Sequence, residues 1–132
     1  MEPTNAFAAF DGYKNLSLES SRKNSVGVRT PVWFAADLST GVATKLYVYT
    51  IADSGKAKRV RNNGRVRIAP CDRKGKILGE WIEAKAEMIS GAEADHGMAL
   101  LNKKYLPLKQ VLDFFARFSA RQRVVIRILP AQ

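Results

Sequence analysis

The stretch that decides the fold runs LYVYTI-ADS-GKAKRVRNNG-RVRIAPC, residues 46–71. Leu46 to Ile51 is β-branched and aromatic throughout, which reads as a strand. Ala52-Asp53-Ser54-Gly55 is a short loop of small residues, and Lys56 to Asn62 reads as a helix. Asp53 or Ser54 can cap that helix at its start, and Asn62-Asn63-Gly64 ends it in the manner of a C-cap. Arg65 to Cys71 then alternates as a half-buried strand does.

Working outward, Tyr13 to Ser21 alternates with Leu16 and Leu18 on one face. Arg22 to Ser25 is a polar turn, and Val26 to Ala35 reads as a second strand with Val26, Val28, Val32 and Phe34 sharing one parity. Pro31 cannot donate to a ladder, so it marks an edge or a bulge. Downstream, Asp72 to Gly75 is a turn, and Ile77 to Ile89 reads as one long strand bent near Gly79. Ser90 and Glu93 have the capping-box spacing for a helix reaching Tyr105. Pro107 fits the first turn of another helix ending near Phe118, and Val124 to Leu129 is the last strand. The order β-β-β-α-β-β-α-α-β favours a mainly β (α+β) antiparallel barrel or sandwich with flanking helices. A doubly wound sheet would need a helix between most strands. The 132 residues suit a single domain, 1–132.

Composition excludes several classes. The chain is 46% hydrophobic and 26% charged, as globular domains are. It has no apolar run of membrane-spanning length, and its start lacks the features of a secretory signal, so the expected location is the cytoplasm. The single cysteine, Cys71, allows no internal disulfide and has no metal-ligand spacing around it. It reads as a half-buried strand residue, and the single histidine, His96, as a surface residue of a helix. The net charge is +10, and nine basic residues lie between Lys56 and Lys76 with only Asp72 opposing them. That points to an anionic partner meeting one region. A nucleic-acid interface would interleave aromatic residues with the charges for base stacking, and this stretch has none.

The chemistry concentrates where the strand ending at Thr50-Ile51 meets the basic helix. Backbone N–H groups at a helix start, helped by the helix dipole, attract phosphate. Thr50 and Ser54 offer hydroxyls, Gly55 allows close approach, and Lys56 and Arg59 supply charge. The two-glycine spacing of a Walker loop is absent, and so is a Rossmann fingerprint. The residues alone leave two readings open: a phosphate grip, or a capped surface helix with a solvated basic face.

Arg29-Thr30-Pro31-Val32-Trp33-Phe34-Ala35 resembles the TPVWF strand of the F420-dependent members of the pyridoxamine-phosphate-oxidase-like, split β-barrel flavoproteins. Ala52 to Asn63 is similar to the helix after that family's third strand, and Arg65 to Asp72 and Gly79 to Ala86 continue the likeness. It covers roughly Tyr13 to Leu129, departing at Gly64, where a proline often stands. The resemblance implies a homodimeric split β-barrel with the cofactor at the subunit interface. Ser54, Lys56 and Arg59 would hold its phosphate, and Thr50 and Ala52 would lie along its tail. Pro31, Val32 and Trp33 would line the ring, with Trp81 nearby. The implied cofactor is the deazaflavin F420, with FMN as the alternative, and the implied activity is hydride transfer to a small unsaturated substrate. The excess of positive charge suits the polyanionic F420. No catalytic acid–base pair is identified, and a heme-handling relative is disfavoured because His96 lies away from the motif. Apart from the resemblance, Trp33 and Trp81 can be read as core aromatics, and Arg65 and Arg67 as the wet face of a strand.

Overall fold

A computed structural model describes residues 7–21, 27–38, 44–51, 55–105 and 123–131. Its strands are β1 (Asn15–Ser21), β2 (Gly27–Asp37), β3 (Lys45–Ile51), β4 (Arg65–Cys71), β5 (Ile82–Ile89) and β6 (Arg123–Pro130). The helices are α1 (Gly55–Asn62), between β3 and β4, and α2 (Gly91–Tyr105), after β5. All strand pairs are antiparallel, and they close a barrel in the order β1-β2-β3-β6-β5-β4. The expected mixed α+β barrel with flanking helices is what forms. The helix expected over 107–118 falls outside the described residues.

The alternation visible in the strands sorts inside from outside. Leu16 and Leu18 of β1, Val32 and Phe34 of β2, Leu46 and Val48 of β3, Val66 and Ile68 of β4, Ala84 and Ala86 of β5, and Ile126 and Ile128 of β6 share one interior cluster. Each large side chain buried there contributes about 1.5–3 kcal/mol. A 3₁₀ turn at Ala8–Phe10, absent from the sequence reading, adds Phe7 and Phe10 to that cluster. Val60 joins it from α1.

On the outer surface, α2 packs over β2, β3 and β6. Tyr47 faces outward yet is only 1% exposed, because the helix lies on it. A Cβ on Gly97 would stand 2.8 Å from the Tyr47 ring, so this residue lets helix and sheet meet. The Tyr47 hydroxyl donates to Glu93 Oε2 at 3.0 Å, and Arg127 Nη1 donates to Glu93 Oε1 at 2.7 Å. Glu93 thus ties α2 to the sheet.

Two expectations need correction. The long strand over Ile77–Ile89 is broken: Ile77 forms only an isolated bridge to Cys71, and the continuous strand begins at Ile82. Leu78 N–H donates to the Pro70 carbonyl at 2.8 Å, and a Cβ on Gly79 would stand 2.7 Å from the Pro70 ring. The chain therefore folds tightly against β4 there before the ladder resumes. Gly64 is not a left-handed cap either. Its N–H-accepting carbonyl takes the Ala86 amide at 2.7 Å, and a Cβ would stand 2.8 Å from the Ala86 carbonyl oxygen. Close approach of two backbones, not a positive φ, is what requires glycine. Among the described residues, no helix is long and apolar enough to cross a membrane.

Candidate functional site

The β2–β3 ladder is short. It runs from Asp37↔Lys45 to Phe34↔Val48 and stops there, although β2 extends back to Gly27 and β3 on to Ile51. Both strands stay paired on their other sides, β2 with β1 and β3 with β6. The barrel is thus split along this seam. The seam opens toward the end of β3 that leads into α1.

α1 sits at that end because Ala57 and Val60, three apart on one helix face, are 0% and 4% exposed. The same spacing aligns Lys56 and Arg59 on the adjoining face. Arg59 bends back along its own helix: its Nε donates to Ser20 Oγ at 2.7 Å, and a Cβ on Gly55 would lie 2.7 Å from its Nη1. The guanidinium therefore lies beside the first residue of α1. Ser20 is 0% exposed at the end of β1, and Thr50 is 6% exposed near the end of β3.

Lys56 is half-buried, and burial, followed by the neighbouring Arg59 charge, pushes its ammonium below the usual lysine range. Among the described residues it has no hydrogen-bond or ion-pair partner. No acidic residue stands in the first turn of α1. Two cations and the positive end of a helix dipole converge here, an arrangement that an anion would stabilise.

Of the residues singled out in the sequence, Thr50, Lys56 and Arg59 gather at this end. Ala52 and Ser54 lie outside the described residues, as does the proposed capping role of Asp53. Pro31 is exposed on the outer face of β2 beside the open seam. Trp33 is half-buried on the same face, 6.4 Å ring to ring from Tyr49 of β3. It belongs to an apolar cluster with Ala35 and Leu101 beneath α2. Val32 points the other way: it is 7% exposed within the barrel interior. Its side chain cannot line an outer ring site, because strand neighbours face opposite sides.

Trp81 packs against arginines of β2 and β4. The Arg29 and Arg67 guanidinium carbons lie 4.6 and 5.3 Å from its ring centroid. Both arginines bond Glu19, with Arg29 Nε to Oε2 and Arg67 Nε to Oε1 each at 2.8 Å. The Arg29 hydrogen bond leads the effects that hold the Glu19 carboxyl below its usual range, Arg67 adding to it against the opposing cost of burial. Among the described residues, no contact joins Trp81 to α1.

The cations read in the sequence as one region divide among three elements. Lys56, Lys58, Arg59 and Arg61 ride on α1, Arg65 and Arg67 on β4, and Arg73, Lys74 and Lys76 on the turn beyond β4. Ser20 and Tyr49 were missed. Tyr49 carried a signal, since its parity in β3 sets it on the outer face, as that of Trp33 does in β2. Ser20 carried none, because its contact with Arg59 spans 39 positions.

No protein-family model matches the chain, and no curated protein matches it. Solved structures do. The heme storage protein HutZ from Vibrio cholerae superposes with a TM-score of 0.69 at 14% identity, covering 100% of this chain and 92% of that one. A conserved hypothetical protein from Mycobacterium tuberculosis gives 0.68 at 19% identity, covering 100% and 82%. An F420 reductase gives 0.59 at 15% identity, covering 96% and 93%. At such identities the likeness shows the fold alone, a split β-barrel.

Proposed function

We propose that this protein binds a phosphate-bearing flavin-type cofactor at the open seam, with FMN the principal reading. The observation that carries it is Lys56, a half-buried ammonium without a partner among the described residues, at the start of a helix whose Arg59 folds back beside it. A phosphate monoester would accept from the α1 amides and Lys56 together, restoring the charge balance that burial and Arg59 disturb. The ring would lie against the outer face of β2 beside Pro31, with Trp33 and Tyr49 at its border. Val32 would contribute backbone only. Thr50, Ala52 and Ser54 would flank the tail.

When bound, a flavin supplies the redox chemistry, passing electrons as hydride or singly. The chain's own residues bind, orient and screen it. A second reading, the deazaflavin F420 with hydride transfer to a small unsaturated substrate, is favoured by the fold shared with an F420 reductase. The dispersal of the basic residues removes the charge argument that set F420 ahead of FMN. We extend the proposal to a homodimer, in which a second copy would cover the seam where Pro31 is exposed.

Titration of the purified protein with FMN and with F420, followed by fluorescence, tests the reading. Micromolar or tighter binding of one is expected. Lys56→Ala should weaken it by about 1.5–3 kcal/mol, the worth of a charge-assisted hydrogen bond. Binding of neither, or an unchanged affinity in Lys56→Ala, overturns it.

A further inference from the structure

The outer face of β4 and β5 carries a groove of 430 Å³ that the cofactor reading leaves unused. Ser21, Arg65, Arg67, Glu83, Lys85 and Ala131 are among its walls. The strand register sets Arg65 directly opposite Lys85. Like charges facing each other across a ladder repel, and sheets disfavour the pairing. Among the described residues neither side chain meets a carboxylate or a hydrogen-bond acceptor. Arg67 projects beside them and is held in place by Glu19, which also binds Arg29.

The geometry points to a second binding site here, for a phosphoryl group on a small molecule. A tetrahedral anion with several oxygens can accept from the Arg65 fork, the Lys85 ammonium and the Ser21 hydroxyl from different directions. It would replace the Arg65–Lys85 repulsion with two attractions. The buried floor residues Val66 and Ala84 belong to the barrel core, so the rim is carried on rigid ladder positions. Glu83, opposite Arg67 in register, is the one carboxylate of the groove without a partner among the described residues. It opposes an anion and sets an upper limit on affinity. The inference does not depend on a cofactor at α1.

Inorganic pyrophosphate titrated into isotope-labelled full-length protein, with backbone amide shifts followed by NMR, tests the site directly. Saturable shifts at Arg65, Val66, Ala84 and Lys85 are expected. The double variant Arg65→Ala/Lys85→Ala should weaken them roughly tenfold or more, and Glu83→Gln should tighten binding by about threefold. Lys56→Ala should leave them in place. Shifts confined to Gly55 and Lys56 would overturn the groove site while leaving the cofactor reading standing. Groove shifts that survive the double variant, or that Glu83→Gln weakens, would overturn it as well.

Discussion

The two ends of the barrel each hold a lysine whose ammonium is destabilised by burial, and they differ in what that ammonium meets. Beside the 3₁₀ turn, Lys104 Nζ donates to the Phe34 carbonyl at 2.8 Å and lies 3.5 Å from the centre of the Phe34 ring. Burial lowers its pKa to about 8, with Asp11 pulling the other way. At the α1 end, Lys56 suffers the same burial and faces Arg59 as well. Surrounding side chains differ too: Phe7, Phe10 and Phe34 at the first end, Ser20, Thr50 and Arg59 at the second. A depressed lysine is therefore no mark of function by itself. Lys104 is satisfied inside the fold, whereas Lys56 has no acceptor among the described residues.

The two ends should differ most in stability. Phe10 is 2% exposed and meets Phe7 and Phe34 edge-on at 6.2 and 5.9 Å. Phe10→Ala should cost about 3–5 kcal/mol in urea unfolding. Val60→Ala, in the plug at the α1 end, removes two methyl groups and should cost about 2 kcal/mol or less. Equal losses at both ends would mean that the α1 end is built for packing as much as the other.

A smaller effect sharpens the polar end. Ser20→Ala removes the acceptor that holds Arg59 back beside Gly55. A hydrogen bond to a charged group contributes about 1.5–3 kcal/mol, and partial exposure of Arg59 puts the expected loss near the lower figure. Affinity for FMN should fall in the same variant, because the guanidinium loses one of the contacts that hold it at the helix start. If stability drops while affinity holds, the Ser20–Arg59 contact braces the barrel and has no part in binding.

How far the sequence foretold this arrangement depends on whether a feature is local. The strand at Leu46–Ile51 and the helix after it were legible because alternation and turn chemistry act over a few residues. So was the convergence of Lys56 with a helix start. The break between Ile77 and Ile82 was not, since it comes from Pro70, on the neighbouring strand, pressing on Gly79. Trp81 illustrates the same limit. The resemblance set it near a cofactor ring, but nothing local in the sequence shows that arginines of β2 and β4, both bonded to Glu19 of β1, pack on its ring. Val32 lay in a motif that resembles a cofactor strand, and its parity alone, matched to Phe34, already marked it as interior.

The smallest effect separates the two lysines by their proton linkage. A lysine whose folded pKa is lowered binds fewer protons folded than unfolded between the two values. For Lys104 that window runs from about 8 up to the ordinary 10.5. Its contribution to stability therefore rises with pH across the window, and the cost of the buried charge is fully felt below it. Lys104→Met keeps the stem without the charge, so its melting temperature should climb less than wild type's between pH 8 and pH 10. Tyr47 supplies the opposite slope higher up: its pKa is raised to about 12, first by burial and then by Glu93, so folding loses stability as pH passes from 10 toward 12. Lys56 has the same sign as Lys104 in the free protein, but saturating FMN should return its proton and abolish its slope. The slope due to Lys104 should be indifferent to FMN, because its ammonium already has the Phe34 carbonyl. Melting curves of wild type, Lys56→Met and Lys104→Met, with and without FMN, read both effects together. A ligand-dependent slope that disappears in Lys104→Met and persists in Lys56→Met would reverse the assignment of the two ends.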